Sequence, residues 1–146
     1  MPNIVHRVGI QCSPEKVYEA IATPEGLSKW WVTETKGQSK IGGLIQFRPE
    51  GGGFDMKIEE LAPKKLIQWR CVGGPDEWIG TQIIFKLEFK EDQTFVHFTH
   101  ADWKEEVEFM HHCSTKWATF LLSLKSLLER NEGRPVPYVV KIHVGD

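Results

Sequence analysis

With 146 residues, 40% of them hydrophobic and 26% charged, the chain is long enough to bury a real core as one domain, residues 1–146, without disulfide or metal staples. Its formal charge of −2, with lysine and arginine dispersed, argues against a basic surface that follows phosphates, so nucleic acid is not an expected partner. The first residues contain no secretion-signal pattern and no stretch is apolar enough for a membrane span, so a cytoplasmic protein is expected.

The first elements along the chain are a strand and two short helices. Ile4 to Ile10 alternates with the period of two that is typical of a half-buried strand. Ser13 and Thr23 each precede a proline, and a capping residue followed by proline marks the start of a helix. We therefore predict two short helices after the first strand, the second running toward Trp30 and Trp31.

Strand patterns dominate the middle of the chain. Five runs alternate or are rich in β-branched and aromatic residues, and short turns containing glycine, proline or charged residues separate them. The predicted strands are Gly43 to Arg48, Phe54 to Leu61, Lys65 to Val72, Ile79 to Lys90 and Thr94 to Asp102. Because their connections are short, neighbouring strands should be antiparallel, and the first strand brings the predicted sheet to about six.

The longest predicted element is a helix between Glu105 and Gly133, with Asp102 as its cap. Apolar residues recur in it at steps of three and four, which places them on one stripe. They are Val107, Met110, Cys113, Trp117, Phe120, Leu121, Leu124, Leu127 and Leu128. The apolar face of the sheet is the partner that this stripe requires. Residues 134–146 are predicted to form an extended tail along the surface.

Five stretches of sequence, in this order, carry a family resemblance. They are Ser13 to Ile21 with Thr23 to Glu25 and the pair Trp30 and Trp31, Gly42 to Phe47, Ile58 to Trp69, Thr94 to His100, and His112 to Leu124. Together they resemble the SRPBCC (START-like, helix-grip) superfamily and, within it, the AHSA-like family, similar to the C-terminal domain of the heat-shock-protein-ninety ATPase activator. The resemblance implies an α+β helix-grip fold, in which a curved antiparallel sheet wraps around a long C-terminal helix.

The resemblance also implies an apolar cavity between sheet and helix, because members of the superfamily typically enclose one. In this sequence large apolar side chains converge on the predicted inner surface, and such side chains with a few polar groups are typical of ligand pockets. The candidate ligand-binding residues are Trp30, Trp31, Phe47, Met56, Trp69, Phe85, Phe98, His100, Met110 and Trp117, with Trp30 and Trp31 at one rim. For each residue alone, a place in a filled core is the alternative interpretation.

His100 is the polar candidate of this set. Its alternation with Val96 and Phe98 turns it inward, near Asp102. There it would anchor a ligand or act as a general base near neutral pH. A core histidine, hydrogen-bonded to its neighbours, is the alternative.

No metal, cofactor or catalytic residue is predicted. His111 and His112 are adjacent, so on a helix they point about 100° apart and cannot share an ion. The three cysteines are far apart and odd in number, which favours free thiols in a reducing compartment. The sequence has neither a nucleophile elbow nor a phosphate-binding glycine loop, so whether the protein is an enzyme stays open.

Three functional hypotheses follow. The main one is that the cavity binds a small apolar or amphipathic ligand, lipid-like or aromatic. The resemblance also implies two alternatives: a cyclase- or dehydratase-like enzyme that uses His100 and Asp102 for proton transfer in the same cavity, and a protein-binding module that contacts the chaperone. A homodimer, formed through a strand edge or the tail, is left open.

Overall fold

A computed structural model describes residues 1–146, and its seven strands form one antiparallel sheet in the order β1-β7-β6-β5-β4-β3-β2. In chain order the elements are β1 (Ile4–Ile10), α1 (Pro14–Ala22), α2 (Pro24–Leu27), β2 (Thr35–Gly37), β3 (Leu44–Phe47), β4 (Phe54–Ala62), β5 (Leu66–Gly73), β6 (Gln82–Lys90), β7 (Gln93–Ala101) and α3 (Glu108–Arg130). The α+β helix-grip fold predicted from the sequence is confirmed.

The two short helices begin where the caps predict. The Ser13 hydroxyl accepts a hydrogen bond from the Lys16 N–H at 3.3 Å, and the Thr23 hydroxyl accepts one from the Gly26 N–H at 3.0 Å. The second helix is shorter than predicted and ends at Leu27. The chain then turns and buries the two tryptophans that follow.

The sheet differs from the prediction at two places. Strand β2, only three residues long, lies outside the predicted strands because Thr35 to Gly37 has no apolar alternation, and it pairs with β3 alone. Strand β6 starts at Gln82 rather than at Ile79, because the residues before it form a turn in which the Thr81 N–H donates to the Trp78 carbonyl.

Helix α3 begins later than predicted. Asp102 does not cap it, because this residue adopts a left-handed conformation with φ of 68° and donates its N–H to the Asn3 side chain. Trp103 is 1% exposed, and its burial anchors the connection between β7 and α3 as a loop. The helix starts at Glu108, and its 23 residues span about 35 Å.

The C-terminal end of α3 is set by Asn131. This residue is left-handed, with φ of 60°, and its N–H donates to the Leu127 carbonyl, which is a standard way to end a helix. Gly133 has a different role from the predicted stop: a Cβ at this position would collide with the Lys29 carbonyl oxygen. The glycine therefore lets the chain leaving α3 pass against the segment that follows α2.

The predicted apolar stripe of α3 packs over the sheet. Its buried members are Met110, Cys113, Trp117, Phe120, Leu121 and Leu124. Burying each large side chain contributes roughly 1.5–3 kcal/mol, so this contact is a major part of the core. Polar contacts fix the helix beside β1, where Lys125 donates to the Gly9 carbonyl at 2.5 Å. No helix is both long and apolar enough to cross a bilayer.

After α3 ends, the tail of residues 134–146 runs back past the segment that follows α2. The Arg134 N–H donates to the buried Ser123 hydroxyl at 2.7 Å. Val136 forms a parallel bridge with Val32, and its N–H donates to the Trp31 carbonyl at 2.8 Å. The tail thus reaches the same end of the molecule as the start of α3.

Candidate functional site

An apolar groove of about 220 Å³ lies beside the first turns of α3. Nine of its 13 lining residues are hydrophobic. Helix α3 supplies Phe109, His112, Cys113, Lys116, Trp117 and Phe120. The loops after β3 and β5 and the start of β4 supply Pro49, Phe54, Pro75 and Trp78, and the opposite wall is Trp31, Val32 and the tail residue Val136. The groove therefore depends on segments far apart in sequence.

Aromatic rings form its floor and walls. Trp31 is central: its ring centroid lies 4.8 Å from that of Trp117 and 5.1 Å from that of Phe54. Trp78 stacks on Trp117 with centroids 6.4 Å apart, and it meets Phe54 edge-on at 5.1 Å. Offset and edge-to-face arrangements are the geometries that aromatic pairs prefer, so these contacts stabilise the positions of the rings.

Of the ten candidate residues, Trp31 and Trp117 line the groove. The others are buried in the core and do not line it: Trp30, Phe47, Met56, Trp69, Phe85, Phe98, His100 and Met110. The expected position of Trp30 at a rim is wrong, because its ring is fully buried and its indole N–H donates to the Ala20 carbonyl at 2.9 Å. Phe98 packs directly behind the groove wall, with its centroid 4.4 Å from that of Trp117.

His100 is a fully buried histidine whose two ring nitrogens both have partners. Its Nδ1 accepts from the Trp117 indole N–H at 3.1 Å, so its Nε2 carries the proton and donates to the Thr81 hydroxyl at 2.8 Å. That hydroxyl donates to the Trp78 carbonyl at 2.5 Å. The histidine thereby fixes two tryptophans of the groove relative to the sheet.

This environment also decides the charge of His100. Burial lowers the pKa of its imidazole from 6.5 to about 3, so the ring is neutral at neutral pH. Asp102 does not hydrogen-bond to it; the Asp102 carboxylate accepts from the Gln82 side chain at 3.1 Å. The two side chains therefore do not form the proton-transfer pair of the enzymatic hypothesis.

Two further groups of the groove wall have distinctive chemistry. The Trp78 indole N–H is buried without a nitrogen or oxygen acceptor, and its neighbour is the weakly accepting Cys113 thiol. Burial raises the pKa of the Cys113 thiol to about 12, so this cysteine is not a thiolate nucleophile at neutral pH. The wall consequently contains no activated nucleophile.

Charged residues gather at one rim of the groove. Lys116 donates to an Asp146 carboxylate oxygen at 3.0 Å, and the ring of His112 lies 5.4 Å from that of His143. The ligand atoms of His112, His143 and Asp146 all lie within 4.8 Å of one another, which is a set that a metal could use. The Lys116 ammonium on the same carboxylate disfavours a second cation there. His111 turns away and contacts Glu106 at 3.1 Å.

The sequence analysis did not identify the residues of α3 that lie beside the buried stripe and line the groove. Phe109, His112 and Lys116 recur at steps of three and four, as the buried stripe does, but lie beside it on the helix surface. That spacing could have predicted that the three side chains share one face of the helix. Trp78 and Val136 gave none, because both sit in irregular segments where no periodicity relates them to the helix.

Comparison with known proteins finds a matching family and related solved structures. Residues 11–129 match the family described as Activator of Hsp90 ATPase homolog 1-like protein. The solution structure of the Aha1 dimer from Colwellia psychrerythraea is 50% identical, with a TM-score of 0.84, and the match covers 91% of this chain and 100% of that one. No curated protein matches the chain.

More distant structures share the fold alone. Protein SSP2350 from Staphylococcus saprophyticus is 23% identical, with a TM-score of 0.76, over 90% of this chain and 95% of that one. CalU16 from Micromonospora echinospora is 17% identical, with a TM-score of 0.73, over 88% of this chain and 77% of that one. The scaffold is thus common to proteins of very different sequence.

Proposed function

The chain belongs to the family of Activator of Hsp90 ATPase homolog 1-like proteins, and on that scaffold we propose that it binds a small apolar or amphipathic molecule in the groove beside α3. The observation that carries the proposal is an aromatic-walled groove of about 220 Å³ with mostly hydrophobic lining. An engineered apolar cavity of about 150 Å³ holds benzene, so this groove suits a ligand of one or two rings.

The polar chemistry of the wall supports the same function. Ligand pockets combine an apolar lining with a few polar groups that orient the ligand. His112 and Lys116 are the polar side chains of this lining, and the polar end of a ligand would lie beside them. Trp31 and Trp117 would contact the ligand body, while His100 would act indirectly by holding Trp117.

A titration with a neutral bicyclic probe, 2-naphthamide, tests the proposal by calorimetry. Val136→Phe places extra volume in the groove wall and should weaken binding about tenfold or more. Val140→Phe, the same change on an exposed part of the tail, should leave affinity within about twofold. Thermal melts confirm that both variants fold. Equal affinity of the two variants would contradict the assigned site.

A second candidate function is contact with the Hsp90 chaperone. The observation that favours it is the 50% identity to the Aha1 protein of Colwellia psychrerythraea, a match that spans the whole of that chain. The test is whether the purified protein raises the ATPase rate of the chaperone from its own organism. A rate unchanged at saturating protein would eliminate this function, and the probe titration would be unaffected.

Self-association is proposed on the same relative, whose solution structure is a dimer. The outermost strands β1 and β2 each have one strand neighbour, and unpaired strand edges are common sites of pairing. Sedimentation equilibrium across a concentration series should give twice the 16.8 kDa monomer mass. A monomer mass at high concentration would refute the dimer.

A reducing, cytoplasmic location is proposed from the thiols. Cys12, Cys71 and Cys113 are all free. Proteins of oxidising compartments usually pair their cysteines. A fusion reporter that localises to the cytoplasm in its own organism would support this, and an extracytoplasmic signal would overturn it.

A further inference from the structure

The rim of the groove holds a carboxylate in a small cradle. One oxygen of Asp146 accepts from the Lys116 ammonium at 3.0 Å and from the Ile142 N–H at 2.9 Å. The side chains of Lys116 and Asp146 are only 16% and 7% exposed, so the pair is largely withdrawn from water. An ammonium and a backbone N–H on one carboxylate oxygen are the kind of contacts that bind anions tightly.

The cradle is continuous with the groove. Lys116 and His112 line the groove, and the Lys116 ammonium lies 5.5 Å from the centroid of the Phe120 ring, another part of the wall. An anion bound to Lys116 is therefore next to an apolar, aromatic surface. A ligand that reaches both must have an anionic end and an apolar body.

The donors at the cradle favour a charged carboxylate. The Lys116 ammonium and the Ile142 N–H both donate to one Asp146 oxygen, and such donors stabilise the ionised form. Any carboxylate that reaches Lys116 would gain the same charge-assisted contact.

Asp146 can leave without disturbing the sheet. The hydrogen bonds of residues 142–146 are local, as between the Asp146 N–H and the His143 carbonyl, or go to Lys116. The tail is held instead by earlier residues, at Arg134 and Val136. Displacement of residues 142–146 leaves those anchors intact.

We propose that Lys116 and His112 form a carboxylate-binding subsite at the rim of the groove, that Asp146 occupies it as an internal stand-in, and that the ligand is a small aromatic carboxylate which displaces Asp146. The inference rests on the proposed ligand-binding function and narrows its ligand class. The apolar body would lie against Trp117 and Trp78, and the carboxylate would replace that of Asp146 at Lys116.

The test compares two probes that share the naphthalene ring and differ in the charge of its substituent, 2-naphthoate and 2-naphthamide, in buffer containing EDTA. Asp146→Asn removes the competing charge and should tighten 2-naphthoate about five- to tenfold, while leaving 2-naphthamide unchanged. Lys116→Gln should weaken 2-naphthoate about tenfold and weaken 2-naphthamide at least about fivefold less, because the amide loses only a neutral contact with the Lys116 side chain. Lys141→Gln and Glu132→Gln make the same charge changes at exposed positions and should alter neither affinity.

Amide spectra of the wild-type chain give a second readout. Saturating 2-naphthoate should shift the Ile142 N–H resonance, because that N–H loses its Asp146 acceptor, and 2-naphthamide should not. This measurement needs no variant, so it holds even if a substitution impairs folding.

The outcomes separate the two proposals. If 2-naphthamide binds but neither Asp146→Asn nor Lys116→Gln changes the affinity of 2-naphthoate, the carboxylate subsite is wrong and the apolar site stands. If neither probe binds any variant, the apolar site itself fails. If 2-naphthoate binds tightly only when Zn²⁺ replaces EDTA, the rim is a metal site through His112, His143 and Asp146, and the displacement proposal is overturned.

Discussion

Mild acid should destabilise this fold through His100. The imidazole is fully buried and is a hydrogen-bond acceptor at Nδ1, which takes the Trp117 indole N–H. Protonation would place two N–H groups face to face and leave a charge in an aromatic environment. The folded chain therefore resists protonation that the unfolded chain accepts freely.

The size of the effect follows from the two pKa values. His100 titrates at about 6.5 when unfolded and at about 3 when folded. Because the folded value is the lower one, its contribution is fully present above pH 6.5 and is lost as the pH falls toward 3. The integrated loss between about pH 7.5 and pH 5 is about 2 kcal/mol. Carboxylates ordinarily titrate at about pH 4, which is below this pH interval.

Urea denaturation, followed by tryptophan fluorescence, measures this loss directly. For a chain of this size a change of about 2 kcal/mol moves the midpoint by about 1 M urea. His100→Gln has no titrating ring, so it should lose little stability across the same pH interval even if its stability at pH 7.5 is lower. His111→Gln removes an exposed histidine and is the matched control, with the same pH dependence as the unaltered chain.

Two results would refute the reasoning. One is an equal loss of stability in the unaltered chain and in His100→Gln. The other is a His100 ring resonance that titrates near its ordinary pKa in the folded protein. Either would mean that the imidazole meets water or has lost its Trp117 contact.

Three further predictions concern the same framework. Trp117→Phe keeps a six-membered aromatic ring but removes the fused five-membered ring with its N–H, so His100 Nδ1 loses its donor and a small cavity forms; chemical denaturation should show a loss of at least about 2 kcal/mol, and an unchanged midpoint would contradict it. Gly133→Ala should lower the melting temperature by several degrees through the clash with the Lys29 carbonyl, whereas Gly52→Ala, in open space, should not. A thiol reagent should modify Cys12 in the folded protein and reach Cys71 only on unfolding, since Cys71 is buried and its burial raises the pKa of the thiol to about 11; rapid labelling of Cys71 would contradict its burial.

Local sequence predicted most of the architecture because most of it obeys local rules. Alternation located β4, β5 and β7 within a residue or two, and the caps at Ser13 and Thr23 located the starts of both short helices. Prediction failed where a tertiary contact overrode the local signal. Asp102 looks like a cap in sequence, but the burial of Trp103 delays the helix to Glu108.

The groove was harder to predict than the fold. Trp31 and Trp117 were among ten candidates chosen for facing inward, and the other eight lie in the core, because facing inward does not distinguish the groove from the core. Met110 and Phe109 are adjacent in sequence, yet one enters the core and the other lines the groove, since each residue turns about 100° around a helix. The rotation of α3 that decides between them depends on packing against the whole sheet. Tail residues such as Val136 depend on contacts more than 100 residues apart.

The most direct test of the central claim is to follow the six tryptophan indole N–H resonances during titration with 2-naphthamide. Ring currents from a probe in the groove should shift the resonances of Trp31, Trp78 and Trp117, which line it. Trp30, whose N–H is bonded to Ala20 in the core, should hardly move. Uniform small shifts of all six, or none, would contradict a ligand site beside α3.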